Sequence, residues 1–274
     1  MLSLPPFFLG LLLLAAPAPV TGPTLAVEDT LHTRVSEVLV RAPRVTLDEV
    51  LDRVARGEAR RESLLADESF TATVRVVRDV AGTREPRAVS EATWRVFRKR
   101  PDRVRTVLLR RWEVKPRKPG NEPFQVDFSP GMGEDVARFA FLPEARREYR
   151  YRIVARDLVG GHLVYQIAFE PRSPLAAAAP SGRVWVETND FVIVRQEVSF
   201  RHSPVPLLIA SLPRMVVERR RVGSFWVLSR VLMRARFTLP LPRVGRSVDL
   251  SIHYDDYRLN EGLPDSVFTG GGSR

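Results

Sequence analysis

The chain of 274 residues contains no cysteine. That excludes disulfides, thiolate metal ligands, a cysteine nucleophile and a lipid-bearing N-terminal cysteine together. Histidine is scarce, and His32, His162, His202 and His253 stand far apart. No G-x-S-x-G, H-E-x-x-H or P-loop pattern occurs, so no familiar hydrolytic, metalloprotease or nucleotide chemistry is written in the sequence. His253 and Asp255 lie two apart on one side of a strand pattern, but a metal site needs further ligands and a solvated strand face explains them as well. Neither metal nor cofactor is expected. Lysine is almost missing: all but three of the 43 basic residues are arginine. Long hydrophobic runs are absent too. The apolar run from Phe7 to Ala16 spans about ten residues, short of the ~20 that a membrane helix needs.

That run is the right length for a signal-peptide core, and Leu2 to Val20 carry no charge. Cleavage is expected near residue 18, after Ala16-Pro17-Ala18, or near 26, after Thr24-Leu25-Ala26. The segment before the run lacks Lys and Arg, so a retained anchor is the competing reading. Secretion to the periplasm is the expected localisation.

Beyond the leader, a composition 44% hydrophobic is ample for a core. Val27 to Val40 shows weak helical spacing. Thr46 followed by Glu49 forms a capping box, and Leu47, Val50, Leu51 and Val54 make an apolar stripe, predicting a helix that ends near Gly57 or slightly beyond. From Phe70 the period changes to two. Phe70, Ala72, Val74 and Val76 alternate with polar residues, followed by strands through Trp94 and Val96 and over 103–114. Met132 to Leu142 fits a short helix or a strand equally. Tyr149, Tyr151, Ile153 and Ala155 oppose Arg150, Arg152 and Arg156. Across Gly160-Gly161, Leu163, Tyr165, Ile167 and Phe169 form the matching strand of a hairpin with one wet face.

A second hairpin turns at Asn189-Asp190, with Val192, Val194, Val198 and Phe200 on one face. Strands follow at 215–222 and 225–239, the latter with Val231 and Met233 on its apolar side, and at 248–254. No composition break divides them. A single domain is expected over 27–268, of about nine strands and two helices, with a flexible tail at 269–274. The segment 205–213, which contains Leu207, Leu208, Ile209 and Leu212 between prolines, reads as an apolar loop, either a core plug or a mobile flap.

The formal net charge is +11. Nucleic acid is the usual partner of so basic a chain, but a secreted protein seldom meets it and the arginines occupy alternate strand positions that a wet face would place outward. An anionic membrane surface is the partner this pattern suits better.

Several segments together resemble the periplasmic lipoprotein-carrier superfamily of LolA-like and LolB-like, outer-membrane lipoprotein-sorting proteins. They are the Asp157-Leu158-Val159-Gly160-Gly161 turn into Tyr165-Gln166-Ile167, then Gly182-Arg183-Val184-Trp185-Val186 before Asn189-Asp190 and Arg195-Gln196-Glu197, and the end from Tyr254-Asp255-Asp256-Tyr257 to Phe268. The resemblance covers roughly residues 45–268, as an order of elements more than as exact motifs. It implies a fold that is α+β and mainly antiparallel, a curved incomplete barrel whose helices cover a concave apolar face. It implies a non-enzymatic carrier of acylated lipoprotein or lipid. On that reading the concave face presents Val74, Val76, Trp94, Val96, Tyr151, Ile153, Tyr165, Ile167, Val192, Val194, Val231 and Met233. The lids are the helix with Leu47, Val50, Leu51 and Val54, and the apolar segment with Leu207, Leu208, Ile209 and Leu212. Two rivals stand beside it: an envelope scaffold with a fully packed barrel, and a hydrolase using Asp255 and Asp256.

Overall fold

The computed structural model describes residues 45–78, 87–114, 138–159, 161–173, 179–200, 209–241 and 245–269. The leader, the helical pattern at 27–40, the turn at Gly82 and the tail beyond Thr269 lie outside them, as do Leu207 and Leu208. Helix α1 (Leu47–Leu64) opens the described chain, followed by β1 (Asp67–Arg78), β2 (Arg87–Lys99) and β3 (Arg103–Glu113). A short helix α2 (Arg138–Phe141) and a 3-10 turn (Ala145–Glu148) then lead into β4 (Tyr149–Val159) and β5 (His162–Pro171). The remaining strands are β6 (Pro180–Glu187), β7 (Ile193–Phe200), β8 (Ile209–Val222), β9 (Phe225–Leu241) and β10 (Gly245–Leu259), with helix α3 (Ser266–Thr269) after them. The stretch that fits helix or strand equally is thus helical where it is described.

All ten described strands belong to one sheet, ordered β3-β2-β1-β10-β9-β8-β7-β6-β5-β4. Every described pairing is antiparallel. The sheet is open, with β3 and β4 as its edges, in keeping with an incomplete barrel. The expectation of nine strands falls one short. The difference is not a hidden element, because each strand has its own alternating stretch in the sequence.

Helix α1 begins as its sequence dictates: Thr46 Oγ1 accepts from the Glu49 N–H at 3.2 Å. The carboxylate half of the capping box does not form, since Glu49 pairs with Arg53 one turn on. The helix does not end at Gly57. It runs to Leu64 because Gly57 is a packing position, not a stop. A Cβ there would lie 2.4 Å from the Phe191 carbonyl oxygen and 2.5 Å from that of Asp190, so only glycine lets the helix cross the β6–β7 turn this closely. Beyond it, Asn260 ties the helix end to β1. Its Nδ2 donates to the Leu64 carbonyl at 2.8 Å, and its Oδ1 accepts from the Ala66 N–H at 2.8 Å.

The expected apolar loop at 205–213 is strand from Ile209 onward. Pro213 lacks an N–H, and the register shifts between Ser211 and Arg214 where it sits, as a strand proline requires. Leu212 pairs with Phe200 and is buried in the core, a structural position and not a flap.

Candidate functional site

Because directly paired residues of a sheet point to one side, the register fixes the rows of its inner face. One row runs across all ten strands: Arg111, Ala92, Val74, Ile252, Val231, Val217, Gln196, Val184, Ile167 and Ile153. The adjacent row holds Ser90, Val76, Leu250, Met233, Met215, Val198, Gly182, Phe169 and Tyr151. Ten of the expected face residues meet in this one core: Val74, Val76, Val96, Tyr165, Ile167 and Val231 buried, with Trp94, Tyr151, Ile153 and Met233 packed against them.

Val192 and Val194 do not join it. A register shift places Ile193 opposite Val186 and Arg195 opposite Trp185, so Val194 is the extra residue of a β-bulge and Val192 lies before the strand. Ile193 takes the core position that strict alternation assigned to its neighbours. A second bulge, between Ile153 and Ala155, puts Arg156 opposite Tyr165. Its guanidinium lies 5.3 Å above that ring, so Arg156 shares a face with Tyr165 where the sequence pattern set them apart.

Val50, Leu51 and Val54 of α1 enter the same core, and Leu47 packs against it. The stripe then changes character. One and two turns past Val54 come Glu58 and Arg61, both buried. Glu58 Oε1 accepts from the Ile193 N–H at 2.8 Å and from Arg219 at 2.6 Å, and its Oε2 accepts from Arg61 at 3.2 Å. The same Arg219 nitrogen also donates to the Ile193 carbonyl at 2.7 Å. Burial pushes the Glu58 carboxyl up, but Arg219, Arg61 and the Ile193 N–H outweigh it and hold the group below its ordinary range. The helix is therefore joined to β7 and β8 by a charged network inside the protein. Sequence reasoning passed over these residues, although both carry a signal: Glu58 continues the Val50–Val54 stripe, and Arg219 continues the inner parity of Met215 and Val217.

At the C-terminal end of α1 a cleft of about 230 Å³ lies against β1 and β2. Phe70, Leu228 and Tyr257 line it on the apolar side and Glu62, Glu68, Arg98 and Arg100 on the charged side. It is smaller than the roughly 300–1,000 Å³ of typical ligand pockets. Its charges are engaged: Arg98 pairs with Glu68 at 2.9 Å, and Arg100 donates to the carbonyl oxygens of Leu65 and Glu62 that end the helix.

The outer face carries the arginines in ladders with carboxylates. Arg195 reaches Glu218 at 2.9 Å and also Glu197, Arg230 reaches Glu218 at 2.8 Å, and Arg234 meets Asp249 at 2.6 Å. Asp255 pairs with Arg220 at 3.1 Å, and Asp256 accepts from Thr71 at 3.2 Å. Among the described residues no three His, Asp or Glu side chains gather at a common point for a metal. None of the described helices is long and apolar enough to cross a membrane.

No protein-family model matches the chain, and no curated protein matches its sequence. Among solved structures it is similar to a domain from Vibrio parahaemolyticus assigned to outer membrane lipoprotein sorting, at 12% identity and a TM-score of 0.38, covering 80% of this chain and 97% of that one. It is similar to a LolA superfamily protein from Nitrosomonas europaea at 14% identity and a TM-score of 0.30, covering 82% and 98%. It is similar to the lipoprotein LppX from Mycobacterium tuberculosis at 8% identity and a TM-score of 0.30, covering 80% and 99%.

Proposed function

We propose that the protein is a non-enzymatic, periplasmic carrier that shelters acyl chains of a lipid or lipoprotein between the apolar inner face of its sheet and helix α1. The observation that supports this most is the extent of that face. Two adjacent rows of mostly apolar side chains span the sheet, while α1 sets only Val50, Leu51 and Val54 into the core as buried apolar groups. The turns of α1 that carry these three side chains can yield their place to cargo while Glu58 keeps Arg61 and Arg219, and each methylene that takes over burial contributes about 0.8 kcal/mol. The leader supplies the route to the periplasm, and the basic outer surface suits approach to an anionic membrane, whose attraction reaches about 1 kcal/mol for each close cation.

One observation favours a second reading, a scaffold that holds nothing. The inner face is closed, with Val74 at 2%, Ile167 at 0%, Val184 at 0% and Val231 at 0% exposure. The deciding experiment is native mass spectrometry with lipid extraction on protein purified from envelope without detergent. Co-purified lipid or acylated peptide in fixed stoichiometry is the carrier's result. A clean protein mass, together with no uptake of a fluorescent fatty acid, selects the scaffold.

A further inference from the structure

We propose that Gln196 recognises a hydrogen-bond donor carried on the aliphatic cargo, a hydroxyl on the chain or the N–H of an acyl amide. This rests on the carrier reading. In the row that crosses the sheet, every position from Ala92 to Ile153 is apolar except Gln196, which stands near its middle with Val184 on one side and Val217 on the other. Gln196 is 2% exposed. Its Oε1 is buried and has no hydrogen-bond partner among the described residues.

A buried amide oxygen without a donor is unfavourable, and native proteins keep few of them. The carboxylate that α1 brings to the same core is treated differently. Glu58 satisfies both carboxylate oxygens with Arg219, Arg61 and the Ile193 N–H. A leucine at 196 would fill similar space and match its neighbours. The carboxamide gains its bond when a donor arrives from outside the chain, against the inner face where the carrier reading puts the cargo. A hydroxyl suits it whichever way the amide is turned, because it donates and accepts. An acyl amide supplies an N–H to the oxygen alone.

The test uses the full chain after lipid removal, with displacement of a fluorescent fatty acid as the readout. The probes are palmitate, 3-hydroxypalmitate, 12-hydroxystearate with stearate as its control, and N-palmitoylglycine. At least one donor-bearing probe is expected to bind about tenfold more tightly than its plain counterpart, the worth of one net hydrogen bond. The hydroxy acids and the acylglycine distinguish the two sources. In Gln196→Leu the preference disappears, and thermal unfolding reports that the variant is folded. Equal affinity for all probes in the parent protein overturns the role of Gln196 and leaves the carrier reading standing. Preference retained in Gln196→Leu does the same. Failure of every probe to bind overturns the carrier reading and this inference with it.

Discussion

Glu58 and Arg219 occupy positions where the stripe of α1 and the inner parity of β8 call for apolar residues, and each is tolerated because the other is there. Their side chains are only 4% and 2% exposed. Removing one leaves the other charged, buried and without its main partner, a situation that costs about 3–5 kcal/mol. Glu58→Gln and Arg219→Met are each expected to lose stability on that scale in urea unfolding. The double variant Glu58→Gln/Arg219→Met should lose less than the sum of the singles, because the two groups act as a unit. The pH dependence has a definite sign. The folded carboxyl is held below its ordinary value of 4.5, so its contribution is complete above that pH and is lost as pH falls through the folded value. The parent should destabilise in acid below about pH 4.5 more steeply than Glu58→Gln. Equal slopes in the two proteins would remove Glu58 from the account.

Helix α1 and the β6–β7 turn meet backbone to helix at Gly57. Gly57→Ala drives a Cβ to 2.4 Å from the Phe191 carbonyl oxygen, and since backbone cannot step aside as a side chain does, the variant is expected to lose about 1–3 kcal/mol. Gly161→Ala is the control. Its Cβ meets nothing, but the φ of +81° strains any L-residue, at a cost of about 1–2 kcal/mol without moving the helix. A shift of α1, seen as faster hydrogen exchange over 47–64, should therefore follow Gly57→Ala and not Gly161→Ala. The same elements show what the sequence could tell. Strands, their order along the chain and the apolar half of α1 follow from periods of 2 and 3.6, which any alternating stretch displays. Bulges do not, because the extra residue at Val194 is chosen by pairing with β6 and not by its own neighbours. Gly57 read as a stop because close approach to the β6–β7 turn is invisible without that turn in place. Leu212 read as loop because Pro213 follows it, and only the register with β7 and β9 makes room for the proline.

The formal charge of +11 does not make the whole molecule a uniformly cationic body, for much of the outer-face arginine is bound up with Glu197, Glu218 and Asp249. Such exposed pairs contribute about 0–1 kcal/mol each and are screened by salt, so cohesion rests on the apolar face and on what covers it. Cargo that takes the place of the first turns of α1, with the Glu58–Arg219 pair left intact, must replace the burial of Val50, Leu51 and Val54, which are 0%, 3% and 0% exposed. At about 1.5–3 kcal/mol for each side chain, that is roughly 5–9 kcal/mol. An eight-carbon chain offers about 6 kcal/mol and a sixteen-carbon chain about 12 kcal/mol at ~0.8 kcal/mol per methylene. Short chains therefore barely compensate for a displaced helix, while long ones do. Thermal unfolding with saturated fatty acids of increasing length is expected to show no shift at eight carbons or fewer, an onset near ten to twelve, and a rising midpoint beyond, as ligand linkage requires. A midpoint that rises in proportion from the shortest chains upward would mean that cargo binds without moving α1. A midpoint that no chain moves would mean that the face is core and nothing more.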